Sequence, residues 1–274
     1  SRKIIIDADS GIDDAMAILA AFRSPELEIL GITTVFGNTE VAHCSTNALR
    51  LVEIAGKEDL PVCKGADRPM VLPDLALGTE VHGLDGMGNT NPPPPKGSLD
   101  PRDAVDFIID TVKQHPGEVS LAPLGPLTNI GLALHKAPEM AGLVDEVVLM
   151  GGNAYARGNI SPAAEANIFH DPHAAEIVFR TNWQVTMIGL DATTKIIITP
   201  EKLEELYAAD NEAVRLLQSI QPVYQAFHDQ IGVAVVNQFN SFLGSFAFCF
   251  GRNDFIKVHV DIEVVAGFLN FIPV

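Results

Sequence analysis

Basic residues are scarce in this chain: 18 lysines and arginines stand against 35 aspartates and glutamates, a formal charge of -17 over 274 residues. Nucleic acid and anionic membrane surfaces both recruit clustered positive charge, so neither is expected as a partner. Cysteine is sparse as well. Cys44, Cys63 and Cys249 are odd in number and too widely spaced for a zinc site, which favours a reducing, cytoplasmic setting over a disulfide framework. The chain opens on a strand-like run with no charged-then-apolar leader, and no apolar run reaches membrane length, so a soluble protein is expected. Missing too are a Ser/Gly linker, an internal repeat, and the glycine-rich signatures of P-loop and dinucleotide-binding folds. With 47% hydrophobic residues, the chain fits one large domain over residues 1–274 with a substantial core.

What is present is an alternation of apolar runs with amphipathic segments. The pattern predicts strand Lys3–Asp9 then helix Asp13–Arg23, strand Leu27–Thr34 then helix Val41–Ala55, and strand Val119–Pro123 then helix Leu127–His135. Strand Glu146–Met150, helix Pro172–Phe179 and strand Val185–Gly189 follow, with residues 201–238 helical and a late strand over Lys257–Val265. Repeated βαβ units mean an α/β domain with a mostly parallel, doubly wound sheet and extra C-terminal helices. Ligands of such sheets bind beyond the carboxyl ends of the strands. A long Gly/Pro-rich connection from about Lys64 to Pro101, holding His82-Gly83-Leu84-Asp85-Gly86-Met87-Gly88, is of a length that is more often functional than structural.

The first strand ends in Asp7-Ala8-Asp9-Ser10-Gly11-Ile12-Asp13-Asp14, four carboxylates at a strand-to-helix turn. Crowded like charges raise one another's pKa, so so many acids together call for a cation, and oxygen-only ligands select calcium or magnesium over zinc. Helix capping accounts for Asp13 and Asp14 as an alternative, because a helix start favours acids. It leaves Asp7 and Asp9 unexplained. Gly37-Asn38, Leu124-Gly125 and Met150-Gly151-Gly152-Asn153 also follow predicted strands, so they converge with the acids on one mouth.

With the segment Gly158-Asn159-Ile160-Ser161-Pro162-Ala163-Ala164-Glu165-Ala166-Asn167 added, the chain resembles nucleoside hydrolases of the inosine-uridine-preferring type. The acid turn, Val35-Phe36-Gly37-Asn38, the His82–Gly88 loop, Leu124 to Asn129, Met150-Gly151-Gly152 and Asn159 to Asn167 recur in family order, and Asn89-Thr90-Asn91 with its proline run is similar to plant members. The resemblance implies hydrolysis of a ribonucleoside to ribose and free base by a calcium-bound water, in nucleoside catabolism and base salvage, by a homodimer or homotetramer. It implies Ca²⁺ held by Asp9, Asp14 and the backbone carbonyl of Leu124, with Asp9 also the general base, and ribose gripped by Asp13, Asn38, Asn159, Glu165 and Asn167. His82 is a candidate catalytic acid, since imidazole changes charge near neutrality. Met150 joins the substrate candidates, though it suits the core better. Asn, Asp and Glu offer the mixed donors and acceptors that a sugar needs.

One family feature is out of place. The resemblance implies a His-Asp pair near the C-terminus that completes the metal site and aids the leaving base, yet its slot falls near Asn240-Ser241. His228-Asp229 comes about a dozen residues early, and Gly232 just after it reads as an ordinary helix end. A non-catalytic nucleoside- or ribose-binding protein is therefore the alternative to an active hydrolase. A phosphatase of the haloacid-dehalogenase type, which Asp7-Ala8-Asp9 echoes, lacks the basic residue that would neutralise phosphate.

Overall fold

The computed structural model describes residues 1–73, 77–195 and 200–230. Its elements in chain order begin with β1 (Arg2–Ala8), α1 (Ile12–Arg23), β2 (Leu27–Thr34), α2 (Val41–Ile54), β3 (Val62–Lys64), the short α3 (Thr79–His82) and α4 (Ala104–Gln114). They continue with β4 (Val119–Pro123), α5 (Thr128–Lys136), β5 (Val144–Met150), α6 (Ala166–His170), α7 (Pro172–Arg180), β6 (Val185–Ile188), α8 (Leu190–Thr193), α9 (Pro200–Tyr207) and α10 (Glu212–Gln230). The six strands form one sheet in the order β3-β2-β1-β4-β5-β6. All five pairings are parallel.

Both faces of that sheet are covered, as a parallel sheet requires. The β-branched run of β1 shows how: Ile4 and Ile6 enter one core with Ala48 and Leu51 of α2 and Val214, Leu217 and Ile220 of α10. Ile5, pointing the other way, enters a second core with Phe107 and Ile108 of α4, Ile130 of α5 and Ala174 and Val178 of α7. Strand order reverses between β1 and β4, which makes the crevice beyond Ala8 and Pro123 the topological switch point.

Predicted and observed elements differ where local signals are short or compound. β3 has three residues, too few for a periodicity. α4 stands in a stretch to which the sequence pattern assigns no element, although Asp103 caps it by accepting from Asp106 N at 2.9 Å. The predicted helix over 201–238 is two helices, because Asn211 Oδ1 accepts from Val214 N at 2.9 Å and starts α10 afresh. Residues 231–238 and the late strand Lys257–Val265 lie outside the described residues. No described helix is long and apolar enough to cross a membrane.

Candidate active site

The acid turn joins β1 to α1 at the switch point, and its carboxylates are buried: Asp9 is 2% exposed and Asp14 1%. Asn38, in the loop after β2, binds both. Its backbone N–H donates to Asp9 Oδ2 at 2.8 Å and its side-chain amide to Asp14 Oδ2 at 2.9 Å. Asp14 Oδ2 also accepts from Gly11 N at 2.8 Å, so one oxygen has two donors, while Asp14 Oδ1 is buried with no hydrogen-bond partner. Burial, then the charges of Asp14 and Asp13, push the Asp9 carboxyl well above its usual range; burial and Asp13 do the same to Asp14. The turn therefore concentrates carboxylates where burial and mutual repulsion disfavour their charged forms.

Two glycines make room around Asp9. A Cβ on Gly37, whose φ is +156°, would lie 2.1 Å from Asp9 Oδ2, and one on Gly125 would lie 2.7 Å from Asp9 Oδ1. The second contact brings the end of β4 against the carboxylate. Asn167 Nδ2 donates to the Leu124 carbonyl at 2.7 Å and to the Met150 carbonyl at 3.1 Å, which ties the ends of β4 and β5 together. Met150 is 4% exposed and belongs to the core, with its Sδ 3.3 Å from the same amide. Glu165 is buried too. Its Oε2 accepts from Gly152 N (2.8 Å) and Ile168 N (3.1 Å), so it both caps α6 and faces the β5 exit, and burial raises its pKa.

Asp13 and His82 form the opposite wall. Asp13 Oδ1 accepts from Asp14 N at 3.1 Å and lies 3.9 Å from His82 Nδ1, which itself accepts from Ile12 N at 3.2 Å. That bond spends Nδ1 as an acceptor, so the neutral ring carries its proton on Nε2. Burial holds the His82 pKa below its usual value, with His228 adding to the effect and Asp13 opposing it. Tyr224 of α10 stacks on His82 at 5.6 Å between centroids and on His228 at 4.4 Å.

Most sequence candidates thus gather: Asp9, Asp13, Asp14, Asn38, His82, Leu124, Met150, Glu165 and Asn167 lie at the carboxyl ends of the strands or in the segments that follow them, on the side of the switch point. Asn159 differs, being exposed, with Oδ1 accepting from Ala166 N at 2.9 Å. His228 is buried and joins the His82 wall, whereas Asp229 is exposed and accepts from Gln225 Nε2 at 3.1 Å. Asn240 and Ser241 lie outside the described residues. Tyr224 escapes sequence reasoning because an apolar-spaced aromatic in a long helix reads as core, and Asn47, which binds the Ser10 carbonyl, because a helical asparagine carries no motif.

The donor chemistry fits a hard cation in part. Two crowded carboxylates with one orphaned buried oxygen and a neighbouring carbonyl suit calcium. Among the described residues no group of three or more His, Cys, Asp or Glu side chains is arranged to hold a metal.

The chain is similar to known nucleoside hydrolases. The family model described as inosine-uridine preferring nucleoside hydrolase matches residues 4–268. A probable uridine nucleosidase 2 of Arabidopsis thaliana is 42% identical over 228 residues, which is 83% of this chain and 71% of that protein. The inosine-uridine preferring nucleoside hydrolase of Crithidia fasciculata is 42% identical over 249 residues, 86% of this chain and 78% of its own. Among solved structures, the plant nucleoside hydrolase PpNRh1 superposes with a TM-score of 0.87 at 31% identity, covering 98% of both chains. A purine-preferring ribonucleoside hydrolase from Gardnerella vaginalis gives 0.88 at 27% identity, covering 98% of this chain and 99% of that one.

Proposed function

From the premise that the chain belongs to the inosine-uridine preferring nucleoside hydrolase family and is an N-glycosyl hydrolase, we propose that it cleaves ribonucleosides to ribose and free base with one Ca²⁺ held by Asp9, Asp14 and the Leu124 carbonyl. The observation that carries the metal reading is the buried, partnerless Asp14 Oδ1 beside a second buried carboxylate. When bound, Ca²⁺ would supply a Lewis acid that lowers the pKa of a ligated water and accepts sugar hydroxyls as further oxygen ligands.

The chain's own residues divide the remaining work. Asp9, held by the Asn38 N–H, takes the proton of the attacking water as general base. Asp13, Asn38, Glu165 and Asn167 hold the ribose hydroxyls, whereas Asn159, exposed and bonded to Ala166 N, is not placed to do so, and Asn167 also fixes the direction of the Leu124 carbonyl. C–N cleavage builds positive charge on the sugar ring, and the buried carboxylates stabilise it. His82 offers its Nε2–H to the departing base as a hydrogen bond; with a depressed pKa it is neutral at physiological pH rather than a stored acid. The low positive charge of the protein suits this substrate, since a nucleoside carries no phosphate. Uridine is the first nucleoside to examine, given the uridine nucleosidases among the relatives. A cytoplasmic homodimer or homotetramer is part of the same proposal, checked by sedimentation and by locating the protein in cells.

Ribose release from uridine, inosine, xanthosine and adenosine, followed by a reducing-sugar assay with calcium or with chelator, tests the reading. Expected is calcium-dependent release that is lost in Asp9→Ala. Release indifferent to chelation would refute the metal, and a folded protein that binds ribose but releases none would favour the non-catalytic alternative.

A further inference from the structure

Asn47 lies on the buried face of α2 and takes no part in the reaction described above. Its side-chain amide donates to two backbone carbonyls in different segments, Ser10 at 3.1 Å and Asp85 at 2.9 Å, and its Oδ1 accepts from Arg50 Nη1 at 3.1 Å. Ser10 sits between Asp9 and Gly11 with φ at +24°, a backbone conformation that an L residue keeps only when its surroundings impose it. One turn earlier on the same helix, Cys44 Sγ is 3.0 Å from the Asp9 carbonyl. Side chains three apart share a helix face, so α2 holds two consecutive carbonyls of the acid turn.

The second carbonyl belongs to the loop that carries His82. Asp85 organises that loop with its carboxylate, which accepts from Met87 N (2.7 Å), Asn89 N (2.9 Å) and Asn91 N (3.1 Å). Gly88 N closes it back onto the His82 carbonyl at 2.8 Å. Arg50 extends the attachment, donating to the carbonyls of Pro92 (3.3 Å) and Pro93 (3.0 Å). Acid turn and His82 loop are therefore joined through one carboxamide, which has the two N–H donors that two carbonyls require.

We propose that Asn47 is a positioning residue, which locks the turn bearing Asp9 and Asp14 to the loop bearing His82 so that base, metal ligands and leaving-group donor keep one mutual geometry. This rests on the roles assigned to Asp9, Asp14 and His82 above. Asn47 is hydrogen-bonded to Ser10, Asp85 and Arg50 and to no side chain of the ribose-binding set, so its loss acts through the placement of turn and loop and is read in kcat more than in KM.

The test compares wild type with Asn47→Leu, which has no donor, and Asn47→Ser, which keeps one. Steady-state ribose release separates kcat from KM, and calorimetric titration with Ca²⁺ alone reads the metal site without substrate. Asn47→Leu is expected to lose roughly tenfold or more in kcat with KM within about threefold, and to bind Ca²⁺ roughly fivefold more weakly, with Asn47→Ser between. A folded Asn47→Leu with kcat and Ca²⁺ affinity within about twofold of wild type, or one with raised KM and unchanged kcat, would overturn the proposal. If Asn47→Leu does not fold, amide exchange on the wild type decides: slower exchange over residues 84–91 on adding Ca²⁺ supports the lock, and unchanged exchange contradicts it. A wild type that binds no Ca²⁺ refutes the metal reading on its own, and the kcat and KM of the variants still judge Asn47.

Discussion

Asp171 and Asp14 are both buried acids at the start of a helix, and the protein treats them differently. Asp171 Oδ1 caps α7 by accepting from Ala174 N at 3.0 Å, and its Oδ2 takes Met70 N at 2.9 Å and the Thr128 hydroxyl at 2.8 Å. Both oxygens are satisfied by neutral donors. Asp14 has its two donors on one oxygen, none on the other, and Asp9 and Asp13 for neighbours. A buried carboxylate left half-paired in a crowd of like charge costs stability. A fold that completes one such group and leaves the next half-paired, at the switch point of its sheet, supports the proposed cation there.

Substitution at the two positions should separate catalysis from stability. Asp14→Ala, like Asp9→Ala, is expected to cost about a thousandfold or more in ribose release, because metal and base act together. Asp171→Ala should do the reverse, losing about 3 kcal/mol in urea unfolding as three donors are stranded, with the turnover of the folded fraction nearly unchanged. A stable but inactive Asp171→Ala would break the comparison.

A buried base sharpens it. Both ring nitrogens of His170 are buried without partners, and burial lowers its pKa from 6.5 to about 4. Between those values the unfolded chain binds a proton that the folded one does not, so stability is fully present above pH 6.5 and is lost as pH falls toward 4. The loss is about 3 kcal/mol. Urea unfolding across that range should show it, and His170→Leu should flatten the slope. The smallest expected effect is Asp14→Asn in chelator, a gain of about 1 kcal/mol over wild type as the crowding of charge is relieved. An equal or lower stability would mean that the acids do not repel one another as their burial implies.

Much of this was legible in the sequence where chemistry and periodicity coincide. The isoleucine run, the acids behind it and the small-residue helix that follows place Asp9 and Asp14 at a strand end without any structure, and β2 and β4 fall where alternation puts them. Other features are set by contacts between distant segments. Asp7 belongs to the same acid run; its Oδ1 is taken by Thr33 at 2.6 Å and Asn129 at 2.7 Å, its Oδ2 is, like Asp14 Oδ1, buried without a hydrogen-bond partner, and burial raises its pKa to about 6. No local pattern distinguishes it from Asp9. The Leu124 carbonyl is a backbone atom, which side-chain patterns do not report, so only the family resemblance points to it. Glu165 reads in sequence as a sugar ligand with a cap as the lesser alternative, and its hydrogen bonds to Gly152 N and Ile168 N make it a cap that also lies at the β5 exit.

Calorimetric titration of Ca²⁺ into chelator-treated protein, run in parallel on wild type, Asp14→Asn and Asp171→Asn, tests the central claim most directly. One ion bound by wild type and by folded Asp171→Asn, with none bound by Asp14→Asn, is the expected result. Equal binding by all three, or none by wild type, would contradict a calcium site built on Asp14.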